Sequence, residues 1–145
     1  MTMQSIDSVI YTGGASTDDA RVGNVKAHSG IFTLPFIPPI PGPWDGREGT
    51  NPEELLAAAW AICFHGLLAA SLRDRGADSS GSAVNVSVTL GQSEGGVLGL
   101  AAEIVGIAPE VGAALLTSAL NEAYKRCPFC QAMDGNIRVN IRANS

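Results

Sequence analysis

Three cysteines are the residues of this chain whose side chains could act as nucleophiles: Cys63, Cys127 and Cys130. An odd and small number of cysteines does not suit the disulfide framework of a secreted protein. The N-terminal segment also lacks the basic region and the long apolar stretch of a signal peptide. We therefore expect a cytoplasmic protein, in which such thiols are structural, metal-bound or redox-active.

The surroundings of Cys63 and Cys127 differ along the sequence. Cys63 lies in an apolar run, where a cysteine taken alone is most simply a small core residue, because a reactive thiol needs a lowered pKa. Cys127 follows Lys125 and Arg126 at the end of a predicted helix. The basic side chains favour a thiolate there, whereas the negative end of the helix dipole opposes it. Cys127 is therefore better suited to attack an oxidised thiol than to attack first.

A Cys-x-x-Cys motif at 127–130 allows two other interpretations. A thioredoxin-type motif would place its first cysteine at a helix N-terminus after a strand, whereas this one closes a predicted helix. A zinc site could combine Cys63, His65, Cys127 and Cys130. However, Cys63 and His65 would point about 200° apart on a helix, so one ion cannot easily bind both. We expect no bound metal, and we interpret His65 as a hydrogen-bonded polar group near an interface.

The helix that carries Cys63 is predicted over residues 52–75 and has a well-defined start. Asn51 suits the N-cap, a proline follows at the first helical position, and Glu54 completes a capping box. Glu53 is not needed for the cap. It precedes Cys63 by ten residues, which is about 15 Å along a helix and about 80° around it. A Glu53 that assists Cys63 must therefore come from a second, antiparallel copy, which favours a two-fold homodimer with the site at its interface.

Strands and one further helix account for the other elements. Alternating apolar residues and turn residues predict strands over 8–11, 21–34, 84–90, 97–107 and 137–141, and a helix over 109–126. Strands that occur in runs indicate an α+β fold with an antiparallel sheet. A length of 145 residues with 46% apolar content suffices for a single domain over residues 1–145.

Charge and hydropathy argue against two classes of partner. A net charge of −5 with nine Lys and Arg leaves no basic stripe for a phosphate backbone, so we expect no nucleic-acid partner. Residues 55–72 carry no charged side chain and are long enough to cross a membrane. Six of them are alanine, and His65, Gly66 and Ser71 interrupt the apolar character. We therefore expect a core helix buried on most sides, and no membrane association.

Two segments resemble the signatures of a known family. The first is GTNPEEL at 49–55 followed by AAAWAICF at 57–64, and the second is CPF at 127–129 with Ala132, GNI at 135–137 and Val139. Together they are similar to the family of organic hydroperoxide resistance proteins and osmotically inducible protein C. Trp60 and the Gly-Asn-Ile ending favour the organic hydroperoxide resistance branch. The resemblance covers essentially the whole chain.

The resemblance implies an intertwined homodimer in which curved antiparallel sheets surround two central helices per chain. It implies that Cys63 is the peroxidatic cysteine, that Cys127 is the resolving cysteine, and that Glu53 pairs with an arginine that holds the thiolate. We predict that this arginine is Arg21, which follows a Tyr-Thr opening similar to the family's. Arg47 is the alternative, because the family's Gly-Gly pair does not directly precede Arg21 here.

The implied activity is the reduction of alkyl and fatty-acid hydroperoxides to alcohols in oxidative-stress defence. A Cys63 sulfenic acid would be resolved by Cys127 as a disulfide. A dithiol would then reduce that disulfide, which for this family implies dihydrolipoamide, often carried on lipoylated proteins. No metal, haem or flavin is required. Cys130 stands where the family commonly has serine; it is a neutral replacement, a spare resolving thiol, or the partner in a Cys127–Cys130 disulfide that relays reducing equivalents.

A proline-rich loop over residues 35–44 bears on the choice of substrate. Phe36, Ile37, Ile40 and Trp44 on this stiff segment are predicted to wall an apolar channel for the hydroperoxide. Packing of the loop against the partner subunit, or its recognition by a proline-binding module, are the alternatives. For the whole chain, the alternative function is a non-enzymatic domain with structural thiols or a zinc-binding module.

Overall fold

A computed structural model describes residues 3–144, which form two compact units with a boundary between Asn51 and Pro52. The single domain predicted over residues 1–145 stays a prediction. The first unit contains β1 (Ala15–Thr17), β2 (Gly23–Ala27) and β3 (Thr33–Phe36), which form an antiparallel sheet in that order. The predicted strand over 8–11 is wrong, because no strand forms there.

The second unit contains the helices and a second sheet. Its elements are α1 (Pro52–Asp74), β4 (Ala83–Gln92), β5 (Leu98–Ile107), α2 (Ala113–Arg126), α3 (Pro128–Met133) and β6 (Arg138–Asn144). The strands pair in the order β4-β5-β6. The α+β class is thereby confirmed, and α1 begins at the predicted residue.

The prediction of purely antiparallel sheets is wrong for β6. The β4 and β5 strands form an antiparallel hairpin, but β5 and β6 run parallel, with Ala102 opposite Val139 and Ile104 opposite Ile141. The cause is the connection between them, because α2 and α3 carry the chain back across the sheet before β6 begins. Parallel neighbours require such a crossover, whereas antiparallel neighbours can be joined by a tight turn.

The prediction of two helices per chain also needs correction, because α3 follows α2 after one residue. The α2 helix ends at Arg126 as predicted, since a proline cannot donate the hydrogen bond that would continue it. The same proline, Pro128, occupies the first position of the six-residue α3, where its missing N–H costs nothing. One residue, Cys127, therefore closes one helix and opens the next.

One face of α1 packs into the core of the second unit. Its buried side chains recur every four residues at Trp60, Phe64, Leu68 and Leu72, which places them in one stripe along the helix. The core of this unit combines them with buried residues of β5 and α2, among them Ile104, Leu116, Ala119, Leu120 and Ala123. A glycine at 106 lets Leu120 lie directly on β5, since a Cβ there would collide with its methyl groups.

The opposite face of α1 is apolar and exposed. Ala58, Ala59, Ile62 and Gly66 lie on it, and Ile62 is 77% exposed. The expected burial on most sides is therefore not reached in the single chain. By length and composition α1 could cross a membrane, but a core helix of a soluble protein passes the same test. Exposed apolar stripes of this kind are common on surfaces by which proteins contact other proteins or membranes.

Candidate active site

Cys63 lies on α1 between the buried and the exposed face. Its neighbour Phe64 is fully buried, its other neighbour Ile62 is largely exposed, and Cys63 itself is half-buried. The position follows from the helical repeat, because each residue turns the side-chain direction by about 100°. The thiol is therefore packed in the protein on one side and open on the other.

Cys127 lies at the joint between α2 and α3 and is fully buried. Its N–H donates to the Ala123 carbonyl at 2.9 Å, and its carbonyl accepts from the Gln131 N–H at 2.9 Å. Both helices therefore fix its backbone, which has an extended conformation with φ −75° and ψ 117°. This kink turns the thiol towards α1.

The structure brings all three thiols together. Cys127 and Cys130 are buried in one hydrophobic cluster against which Cys63 packs, and the Cys127 thiol lies close enough to the other two to raise the pKa of each. All three are free cysteines. The Trp60 indole Nε1–H, one turn before Cys63 on α1, donates to the Cys130 Sγ at 3.2 Å. Sequence reasoning did not identify this tryptophan as a contact of the cysteines, although its spacing of three residues from Cys63 on a helix was visible.

Burial works against ionisation of these thiols within the single chain. It raises the pKa of Cys63, and the neighbouring Cys127 raises it further. Burial likewise raises the pKa of Cys130 to about 12, although the Trp60 hydrogen bond acts in the opposite direction. A reactive Cys63 thiolate therefore needs a cation that the thiol cluster itself does not supply.

Glu53 lies in the first turn of α1 and is half-buried. Its Oε2 atom is buried and has no hydrogen-bond partner among residues 3–144. Because α1 is one continuous helix from Pro52 to Asp74, Glu53 stands about 15 Å from Cys63 along the axis, as predicted. The two residues are not brought together within one chain.

Arg21 and Arg47, the two candidate arginines, lie in the first unit and are exposed. The Arg21 guanidinium carbon lies over the Trp44 ring, 5.5 Å from its centroid, which is a cation–π contact. The Arg47 backbone N–H donates to the Trp44 carbonyl at 3.1 Å. Both arginines therefore contact Trp44 of the proline-rich loop, Arg21 through its guanidinium and Arg47 through its backbone.

The proline-rich loop is folded back on itself. The Trp44 indole N–H donates to the Ile40 carbonyl at 2.6 Å, and Trp44 is buried. Gly42 leaves room for the Trp44 ring, which a Cβ at that position would overlap. Phe36 and Ile37 are half-buried, whereas Ile40 is 54% exposed. Of the four side chains predicted to bind substrate, Phe36 thus ends β3, and the other three belong to the loop that follows it in the first unit.

His65 has the hydrogen-bond partner expected for it. Its Nε2 lies 2.9 Å from the Ser82 Oγ, and that hydroxyl donates to the Ser79 carbonyl at 2.6 Å. In the described part of the chain, no three His, Cys, Asp or Glu side chains are arranged to hold a metal ion. The described residues therefore offer no set of donor side chains for the zinc alternative.

Known proteins resemble this chain along nearly its whole length. Residues 45–142 match the family model of OsmC-like proteins. The organic hydroperoxide resistance protein of Xanthomonas axonopodis pv. citri is 31% identical over 140 residues, 96% of this chain and 98% of that protein. A solved organic hydroperoxide resistance protein from Elizabethkingia anophelis is 28% identical, with a TM-score of 0.81 over 97% of this chain and 99% of that one. OhrB of Bacillus subtilis has the same fold, with a TM-score of 0.85 at 24% identity over 94% and 100% of the two chains.

Proposed function

This chain belongs to the OsmC-like family, in the branch of the organic hydroperoxide resistance proteins, and we propose that it is a thiol peroxidase that reduces organic hydroperoxides to alcohols. Relatives named for organic hydroperoxide resistance support a role in stress defence. The observation that carries the proposal is the side-chain contact between Cys63 and Cys127, which are 64 positions apart in the sequence. Two free thiols in contact, one half-buried and one fully buried, suit a nucleophile and its resolving partner.

The proposed reaction uses the two sulfurs in sequence. The Cys63 thiolate attacks the outer oxygen of the hydroperoxide, the O–O bond breaks, and the alcohol leaves with a proton while Cys63 becomes a sulfenic acid. The Cys127 sulfur then attacks the sulfenic sulfur, water leaves, and a disulfide forms. Because Cys127 already contacts Cys63, this second step needs little movement.

The thiolate needs a positive charge, and Arg21 is the proposed source. Its guanidinium is held over Trp44, and a guanidinium keeps its charge at any physiological pH. A cation close to Cys63 favours the thiolate and offsets the effect of burial. Glu53 is proposed to orient that arginine, since its buried Oε2 lacks a partner in the described residues.

A homodimer is proposed for two independent reasons. The exposed apolar stripe of α1, formed by Ala58, Ala59, Ile62 and Gly66, suits contact with a second copy of the helix. Glu53 lies too far from its own Cys63 to act on it, and an antiparallel second helix would bring the partner's Glu53 close. Both features support the proposal of a site at the interface of an intertwined dimer.

The other components follow from the same proposal. Phe36, Ile37, Ile40 and Trp44 would offer an apolar wall to alkyl or fatty-acid hydroperoxides. Dihydrolipoamide, free or carried on a lipoylated protein, would reduce the Cys63–Cys127 disulfide by thiol–disulfide exchange in the cytoplasm. The reaction requires no bound cofactor, because sulfur supplies both electrons.

Titration with cumene hydroperoxide under anaerobic conditions tests the proposed function. One equivalent should remove two free thiols per chain and yield one cumyl alcohol, with a Cys63–Cys127 disulfide found by peptide mapping in samples quenched in acid at early times. A structural or zinc-binding module would keep its thiols or release zinc instead. Unchanged thiols and unchanged peroxide after prolonged incubation would contradict the proposal.

The pH dependence of Cys63 alkylation tests the role of Arg21. Burial and Cys127 raise the pKa of Cys63, so without a cation the thiolate appears only at alkaline pH. In the wild type, the alkylation rate should rise through an inflection below about 8.5, the ordinary thiol value. Arg21→Gln should move that inflection upwards by at least about one pH unit, because the raising influences remain.

Arg47→Gln is the matched comparison, since Arg47 is the alternative arginine. It should leave the inflection in place, with alkylation mapped to Cys63 by mass spectrometry. An inflection that moves with Arg47→Gln and not with Arg21→Gln would transfer the role to Arg47.

A further inference from the structure

Cys130 extends the pair of sulfurs to a cluster of three. Cys127 and Cys130 are buried together with Cys63 packed against them, and Cys127 raises the pKa of both other thiols, so its sulfur lies close to each. On its far side Cys130 accepts the indole hydrogen bond of Trp60, at 3.2 Å. The third sulfur is thus held in contact with the second by α3 and with α1 by Trp60.

The three sulfurs differ in exposure. Cys63 is half-buried, whereas Cys127 and Cys130 are both 0% exposed. An external thiol that approaches a Cys63–Cys127 disulfide therefore reaches the Cys63 sulfur first. The thiol that lies beside the buried Cys127 sulfur is Cys130.

We propose that Cys130 is a second resolving thiol, which attacks the Cys127 sulfur of the Cys63–Cys127 disulfide and transfers the oxidation to a buried Cys127–Cys130 pair. This inference rests on the proposed function, because the first disulfide arises there. Its consequence is that Cys63 returns to the free thiol state before an external reductant acts, while the protein keeps the two-electron oxidation in its interior as a disulfide.

The step is balanced within the chain. The Cys130 sulfur attacks the Cys127 sulfur, the bond between the Cys63 and Cys127 sulfurs breaks, and Cys63 leaves as a thiolate. The proton lost by Cys130 is the one that Cys63 regains, so the transfer is an isomerisation. It needs no oxidant or reductant beyond the peroxide that formed the first disulfide.

The backbone of α3 suits this closure. Cys127 is the N-cap of α3 and Cys130 follows three residues later, in the first turn. The side chains of an N-cap residue and of the third helical residue lie on the same side of the first turn. Disulfide closure requires nearby sulfurs, and Cys127 and Cys130 are buried in one cluster, where Cys127 is close enough to raise the pKa of Cys130.

Burial of Cys130 and its hydrogen bond with Trp60 act in opposite directions on the transfer. Burial raises the pKa of Cys130 to about 12, so its thiolate is rare at neutral pH, and the indole N–H partly offsets this by stabilising the thiolate. Because the pKa of Cys130 is raised, the fraction of Cys130 present as the attacking thiolate increases as the pH rises towards that pKa. The transfer should therefore accelerate by about tenfold per pH unit between pH 7 and 9.

Peptide mapping over time distinguishes the two disulfides. Trypsin cleaves after Arg47, Arg73, Arg126 and Arg138, so Cys63 lies in peptide 48–73 while Cys127 and Cys130 share peptide 127–138. The first disulfide cross-links these two peptides, whereas the second leaves peptide 127–138 unlinked and lighter by two hydrogens. Samples are oxidised with one equivalent of cumene hydroperoxide, quenched in acid at intervals and alkylated.

In the wild type, the cross-linked peptides should appear first. Their amount should then decrease while the amount of the internally closed peptide 127–138 increases. In Cys130→Ser, which removes the thiol at nearly constant volume, the cross-link should persist over the same time. Peroxide consumption with a cross-link that persists unchanged in the wild type would overturn the relay and leave the proposed function intact. If no peroxide is consumed, the proposed function fails, and the relay fails with it.

A second variant tests closure of the buried pair without any peroxidase step. Cys63→Ser treated with diamide, a thiol oxidant, should form the Cys127–Cys130 disulfide inside peptide 127–138. A Cys63→Ser protein that stays folded and keeps both thiols reduced under diamide would overturn the relay whatever the peroxide result.

Discussion

Replacing Cys63 with serine should abolish the consumption of cumene hydroperoxide. Serine nearly matches cysteine in volume, so the packing beside Phe64 is retained, but a hydroxyl stays protonated and is a far weaker nucleophile than a thiolate. Loss of a nucleophile removes the reaction path, so we expect the rate to fall by at least about a thousandfold. The measurement is loss of peroxide per chain over a single turnover and over many turnovers.

The matched controls for Cys63→Ser are the other two cysteines. Cys130→Ser should consume peroxide normally in a single turnover and still lose two thiols per chain. Cys127→Ser should react once and stop, with a sulfenic acid at Cys63 that a dimedone label captures. Unfolding curves that match the wild type would show that the fold is intact. Turnover retained by Cys63→Ser would remove Cys63 from the mechanism.

Local patterns were sufficient to predict the helices near the site. The start of α1 at Pro52 was predictable because an N-cap residue, a proline and an early glutamate all favour a helix at that place. The end of α2 at Arg126 was predictable because a proline follows two residues later. Both features depend on residues that are adjacent in the chain, which a sequence displays directly.

The pairing of strands could not be predicted in the same way. The alternation in β6 indicates which residues are half-buried but not whether the neighbouring strand runs parallel or antiparallel, because both have the same period of two. The parallel pairing with β5 depends on the crossover through α2 and α3. Likewise, the apolar residues at 8–11 predicted a strand, yet Ile10 and Tyr11 are 99% and 82% exposed and have no strand partner among residues 3–144.

The site was predictable in its parts and not in its arrangement. The Cys-x-x-Cys spacing pointed to Cys130, and the helical spacing excluded Glu53 from its own Cys63. The sequence left open how the three thiols lie relative to one another, because that depends on how α1 packs on α2 and α3. The contact of Trp60 with Cys130 spans 70 positions and has no local signal in the sequence.

Mixed dimers should show whether Glu53 acts across the interface. Glu53→Ala and Cys63→Ser homodimers should each be nearly inactive, the first because the arginine loses its partner and the second because the nucleophile is absent. In a heterodimer of these two chains, one site would combine an intact Cys63 with the intact Glu53 of the partner subunit. If Glu53 acts across the interface, that site should work, and the heterodimer should reach about half of the wild-type rate per dimer.

The heterodimer can be isolated by placing a different affinity tag on each chain and purifying on both tags in turn. The matched control is a heterodimer of one wild-type chain and one chain that carries both Glu53→Ala and Cys63→Ser. It contains the same two substitutions, but its intact Cys63 has no intact Glu53 on the partner subunit. If Glu53 acts in trans, that control should stay inactive although one of its chains is unaltered. If Glu53 acts within its own chain, the control should be active and the heterodimer of the two single variants should be inactive. An active control could not result from direct contact between Glu53 and Cys63 of the same chain, because about 15 Å of the continuous α1 helix separates these two residues.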